Sequence, residues 1–134
     1  MIPINEIVDF VHTTLGGLTR ESFVSRAIAA EFQARGFCVE REACIPVWFE
    51  SSNGIKHRLG VLQADLIVTD ELHPSEQHII EFKVTPDTDY NRQNAIEQIK
   101  NYIRCSKSPF KSAWVVFYPK HSTPTVYTVD YSKV

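Results

Sequence analysis

Ile4, Ile7, Val8 and Val11 fall at i, i+3, i+4 and i+7, the spacing of one helical face, and the pattern stops before Gly16 and Gly17. Val24, Ala27, Ile28 and Phe32 repeat it, predicting a second helix that Thr19 caps and that Gly36 ends in a left-handed turn. From Phe37 the period drops to two. Alternation puts Val39, Ala43, Ile45, Val47 and Phe49 on one face of a long strand, and Pro46 places that strand at a sheet edge or a bulge. Asn53 and Gly54 predict a hairpin turn into a second strand that runs through Ala64, Asp65, Leu66, Ile67 and Val68. The polar stretch from Thr69 to Gln77 reads as the next turn, and His78 to Val84 as a third strand. After a loop at Pro86 to Thr88, Asp89 caps a helix with Ala95, Ile96, Ile99 and Ile103 on its buried side. Ala113 to Pro119 is apolar almost throughout, and Thr125 to Tyr131 alternates as a final strand. The order α, α, β, β, β, α, β, β describes one α/β domain over residues 1–134, with a central mixed sheet of about five strands flanked by helices.

The composition is that of an ordinary globular chain: 134 residues, 43% hydrophobic and 22% charged, enough to bury a core without staples. Apolar runs of bilayer length are absent and the N-terminus has neither the basic start nor the apolar core of a signal peptide, so an intracellular protein with no membrane role is expected. Cys38, Cys44 and Cys105 are odd in number and lack zinc-site spacing, which predicts reduced, packed thiols. The net charge of −2 excludes a globally electropositive nucleic-acid binder. A local patch remains: residues 91–111 hold Arg92, Lys100, Arg104, Lys107 and Lys111 against Glu97 as the only acid, and the first four are candidate phosphate contacts.

Three charges contradict the core pattern. Asp65 sits in the second strand, and Glu81 and Lys83 end the third, where a core strand buries Val or Ile. Side chains two apart on a strand point the same way, so Glu81 and Lys83 share a face while Phe82 takes the other. With Asp65 on the neighbouring strand, two carboxylates and an ammonium converge. Burying such a group costs heavily unless something compensates the charge. A divalent cation does so, since Mg²⁺ binds one or two carboxylates together with waters and phosphate oxygens. The lysine beside it stabilises negative charge developing on a phosphate. The residue types point to phosphodiester hydrolysis.

An acid on one core strand and an acid-x-lysine on the next, Asp65 and Glu81 to Lys83, resemble the signature of the PD-(D/E)XK nuclease superfamily. Gln98 and Tyr102, four apart on the following helix, look like the QxxxY element of RecB-like members, and Gly17, Glu21 and Phe23 fall where the GxxExxY family has Gly, Glu and Tyr. Ala64 stands in place of the name motif's proline and Phe23 in place of tyrosine. The resemblance implies a restriction-endonuclease-like core and a Mg²⁺-dependent nuclease, with Mn²⁺ as a substitute, acting on DNA rather than RNA with little sequence specificity. It assigns Asp65, Glu81, the Phe82 carbonyl and Glu21 to the metal, Lys83 and Gln98 to catalysis, and Tyr102 to support. Two rival readings fit the same residues: an inactive nuclease fold used as a binding module, and a structure-selective, resolvase-like homodimer.

Overall fold

A computed structural model describes residues 2–17, 20–106 and 110–130. The cap expected at Thr19, the contact expected at Lys107 and the end of the final strand at Tyr131 lie outside the described residues. The elements are α1 (Ile4–Leu15), α2 (Glu21–Ala34), β1 (Phe37–Glu50), β2 (Lys56–Asp70), β3 (His73–Lys83), α3 (Asp89–Cys105), β4 (Ser112–Phe117) and β5 (Thr125–Thr128). The strands form one mixed sheet in the order β1-β2-β3-β4-β5. Neighbours are antiparallel except β3 and β4, whose parallel pairing requires a crossover that α3 provides. This is the five-stranded mixed α/β sheet expected from the element order, and the restriction-endonuclease-like core that the resemblance implies.

Helices cover both faces of the central strands. Ile7, Val8, Ile28 and Phe32 of α1 and α2 pack on Leu66, Val68, Ile80 and Phe82. On the other face Ala95, Ile99 and Tyr102 of α3 pack with Ile67, Ile79, Val115 and Phe117. A strand buried on both faces is apolar at every position instead of every second one, which accounts for the continuous runs of β3 and β4. No helix among the described residues is long and apolar enough to cross a membrane.

Four details depart from the sequence reading. β1 does not keep one face: Val39 packs with the α1/α2 core, whereas Ala43 and Ile45 pack with the α3 core. The exchange occurs at Glu42, whose φ of 52° is left-handed, a conformation that costs a non-glycine residue about 1–3 kcal/mol. Directly opposite in register, β2 makes the same exchange between Ala64 and Leu66. The polar stretch after Thr69 is mostly strand, since β3 begins at His73 and pairs with β2 through Gln77 and His78. Its polar side chains follow from exposure at the outer end of the sheet. The cap of α3 is Thr88, with Asp89 already inside the first turn. Cys38 and Cys44 are free but exposed, because both lie on the outward side of β1.

Two contacts join the α1–α2 turn to the segment after β4. The Tyr118 hydroxyl donates to the Gly16 carbonyl at 2.6 Å. Gly17 approaches the Lys120 carbonyl so closely that any Cβ there would overlap it.

The Thr88 Oγ1 accepts from the Asn91 amide at 3.2 Å, satisfying one of the free donors in the first turn of α3. Thr88→Ala is expected to destabilise the protein by about 1 kcal/mol, and Thr88→Ser by much less. Equal denaturant midpoints for wild type and Thr88→Ala would show that this cap contributes nothing.

Candidate active site

The β2–β3 ladder runs from Asp70 back to Leu66 opposite Ile80 and stops there. One residue further, where the strands part, Asp65 and Glu81 face each other. Their side chains take over the role of the missing carbonyls. Glu81 Oε1 accepts from the Asp65 amide at 3.0 Å, and Asp65 Oδ2 accepts from the Phe82 amide at 2.8 Å. Each carboxylate is therefore fixed by a backbone donor of the opposite strand. Glu81 is 1% exposed and Asp65 half-buried.

Such a pair holds more negative charge than its surroundings neutralise. Burial, and then the Asp65 charge, push the Glu81 carboxyl up to about 9, although the Asp65 amide and the Lys83 charge pull it down. In the protein alone Glu81 therefore keeps its proton near neutral pH. Lys83 lies on the same face but does not close on either acid. Its Nζ donates to Gln98 Oε1 at 2.9 Å, and Gln98 Nε2 donates to the Tyr102 hydroxyl at 2.6 Å. Burial, followed by the Glu81 charge, raises the Tyr102 hydroxyl above its ordinary value. Residues 83, 98 and 102 thus form a chain that holds the ammonium beside the acids without neutralising them.

Glu21 occupies the first position of α2. Burial and the Asp65 charge raise its carboxyl while Lys83 pulls it down, which places it within electrostatic reach of both. It does not complete a triad: among the described residues no group of three or more His, Cys, Asp or Glu side chains is close enough to hold a metal ion. The donors that do converge, Asp65 and Glu81 with the backbone of Phe82 between them, suit a hard cation that takes one or two carboxylates and fills its other positions from water or substrate. A cation there removes the need for the proton on Glu81, so the donor set fits a divalent metal.

The candidate phosphate contacts of α3 are mostly engaged nearby. Arg92 binds Asp87 at 3.2 Å and lies 4.5 Å over the Tyr127 ring. Arg104 donates to Asn101 at 2.8 Å, and Lys100 is 4.0 Å from Glu97. Arg92 belongs to a brace that the sequence did not reveal: Asp87 also accepts from Thr125 at 2.8 Å and from the Tyr127 hydroxyl. Burial disfavours the Asp87 charge, but these donors outweigh it and hold the carboxyl below its usual range. The brace ties the β3–α3 loop to β5, fixing the helix that carries Gln98. No local pattern links residues 87 and 127, which meet only through the sheet.

Glu81 makes stability depend on pH. Its folded value lies above the ordinary carboxylate value of 4.5, so between pH 4.5 and about 9 the native state binds the extra proton and loses stability as pH rises. Glu81→Gln removes that slope. In chelator, the melting temperature of Glu81→Gln relative to wild type is expected to grow steadily from pH 5 to pH 9. Parallel loss of stability in the two proteins would contradict a proton held by the acid pair.

No curated protein matches the chain. Among solved structures, a cryo-EM structure of a DrdV–DNA complex aligns with 97% of this chain at 12% identity and a TM-score of 0.37, and the chain spans 12% of that protein's length. The family model of the PD-(D/E)XK nuclease superfamily matches residues 3–128. That match takes in both strands of the acid pair, the lysine and the whole of α3, and the chain belongs to the PD-(D/E)XK nuclease superfamily.

Proposed function

We propose that this nuclease-family protein is a divalent-metal-dependent phosphodiesterase that cleaves DNA with little sequence specificity. The observation that carries the reading is the arrangement of Asp65, Glu81 and Lys83: two carboxylates fixed by reciprocal backbone hydrogen bonds, with an ammonium held beside them by Gln98. A structural ion pair would bring the lysine onto an acid. Here Gln98 takes one of its donors and leaves the positive charge for an incoming phosphate.

A divalent cation, Mg²⁺ or Mn²⁺, bound by Asp65, Glu81 and the Phe82 carbonyl with Glu21 behind them, would supply Lewis-acid activation and neutralise phosphate charge. The residues of the chain provide the rest. Asp65 and Glu81 need no rearrangement to present their carboxylates, so little entropy is lost when the site fills. Lys83 Nζ, held by Gln98, would stabilise negative charge that accumulates on a bound phosphate during in-line attack. Gln98, anchored through Tyr102, keeps that ammonium from collapsing onto Glu81.

Placement in a GxxExxY-like branch with a RecB-like QxxxY element rests on what these residues do, since Gly17, Glu21 and Phe23 are spaced by four and two positions where the motif has three and three. Gly17 is required by its approach to the Lys120 backbone, Glu21 faces the acids, and Gln98 and Tyr102 form the lysine's tether.

Lys83→Met separates catalysis from metal binding. An ammonium repels a cation, so calorimetry should find metal affinity equal to wild type or higher. Cleavage of a labelled oligonucleotide should fall on the order of 10²–10³-fold, the loss typical of one well-placed electrostatic group. Cleavage by Lys83→Met at the wild-type rate would sink the mechanism. Millimolar Mg²⁺ is expected to raise the melting temperature of wild type and leave Asp65→Ala unmoved, because a ligand of the folded state alone stabilises by mass action.

A further inference from the structure

Lys83 ends β3 beside a cleft that neither it nor the acid pair lines. Its carbonyl accepts from the Tyr118 amide at 2.7 Å, and the next residue of each segment, Val84 and Pro119, enters a cavity of about 490 Å³. The wall is apolar at Val84, Pro86 and Pro119 and polar at Lys120, His121 and Ser122. Its volume is within the roughly 300–1,000 Å³ of small-molecule sites. Lys120, His121 and Ser122 are exposed, and they also line a second, adjoining hollow that runs to His12 of α1. The one acid in the first cleft, Asp87, is paired with Arg92 and hydrogen-bonded by Thr125 and Tyr127, so its charge is compensated.

The cleft is also built to keep its shape. Tyr118 is tied to Gly16, its ring meets His12 edge-on at 5.6 Å, and Gly17 is pressed against the Lys120 carbonyl. These contacts hold the segment after β4 against the α1–α2 turn that leads into Glu21. The result is a continuous path, beginning at the residue after Lys83, with an apolar wall and a rim of Lys120, His121 and Ser122. On α3, by contrast, Arg92 is paired with Asp87 and Arg104 is bonded to Asn101.

We propose that this cleft is the subsite for the nucleotide adjoining the scissile phosphate: Lys120 and His121 contact the backbone phosphate, and Val84, Pro86 and Pro119 pack against sugar and base. The strand then continues past His12. This assignment rests on the nuclease reading, and it moves the principal nucleic-acid contact from α3 to the segment after β4.

The test uses full-length protein and a short fluorescein-labelled single-stranded DNA. In chelator, where nothing is cut, anisotropy is followed across salt concentrations for wild type, Lys120→Ala/His121→Ala and Lys120→Arg. The double variant should bind about tenfold more weakly, with the salt slope reduced by about 0.7 for each phosphate it no longer neutralises, and Lys120→Arg should bind like wild type. With metal added, KM of the double variant should rise while kcat stays within about twofold, the signature of weakened ground-state binding. Unchanged affinity and slope in the double variant, alongside a wild type that cleaves, overturns the subsite. A fall in kcat with KM unchanged overturns it equally. A wild type that cuts no DNA in the presence of Mg²⁺ or Mn²⁺ overturns the nuclease reading itself.

Discussion

The crossed hydrogen bonds by which Glu81 accepts from the Asp65 amide and Asp65 accepts from the Phe82 amide govern the rest of the molecule. A sheet normally satisfies its amides from the neighbouring strand's carbonyls, and strands that part leave those amides without partners. Here the strands part at a place where each contributes a carboxylate of the right reach. The acids therefore do two jobs at once: they complete the backbone's hydrogen bonding and they concentrate negative charge at an opening in the sheet. No buried side-chain nitrogen or oxygen among the described residues lacks a hydrogen-bond partner, so the polar centre is satisfied in geometry even while it is unbalanced in charge.

That opening also explains the bend in the β1–β2 hairpin. Glu42, left-handed and opposite Asp65, marks where both strands exchange the core they face. The inner half of the hairpin packs beneath α2. The outer half turns toward α3 and then projects beyond it, leaving Phe49, Ile55 and Leu59 exposed. Backbone strain sits one strand away from the acids, a common location for it near a functional centre.

Much of this was legible in the chain itself. Period-two and period-3.6 patterns identify every element in order, because each element buries a face and the pattern records the face. Asp65, Glu81 and Lys83 stand out since charge in a buried run demands a reason. Illegible were features decided by three dimensions. The switch of faces at Glu42 leaves the alternation of β1 intact, so Val39 and Ala43 look equivalent in sequence while they pack in different cores. The first strand position of β3 is hidden because its exposed end carries the same polar residues as a turn. The Asp87 that holds Arg92 was equally hidden, since a formal charge in the sequence reveals nothing about its partner.

The parallel pairing of β3 with β4 has a bearing on when the protein becomes competent. Every residue assigned to the acid centre and its tether lies between Glu21 and Tyr102, yet β3 gains its second neighbour only from residues 112–117. Tyr118 then reaches back across 102 positions to Gly16. During synthesis on the ribosome, a chain that has exposed all of these side chains still has an open edge along Glu81 and Lys83. Pairings of such sequence separation form late, because the intervening loop must close before the contact returns anything. The acid pair and its tether therefore reach their closed setting only once β4 has emerged to pair with β3.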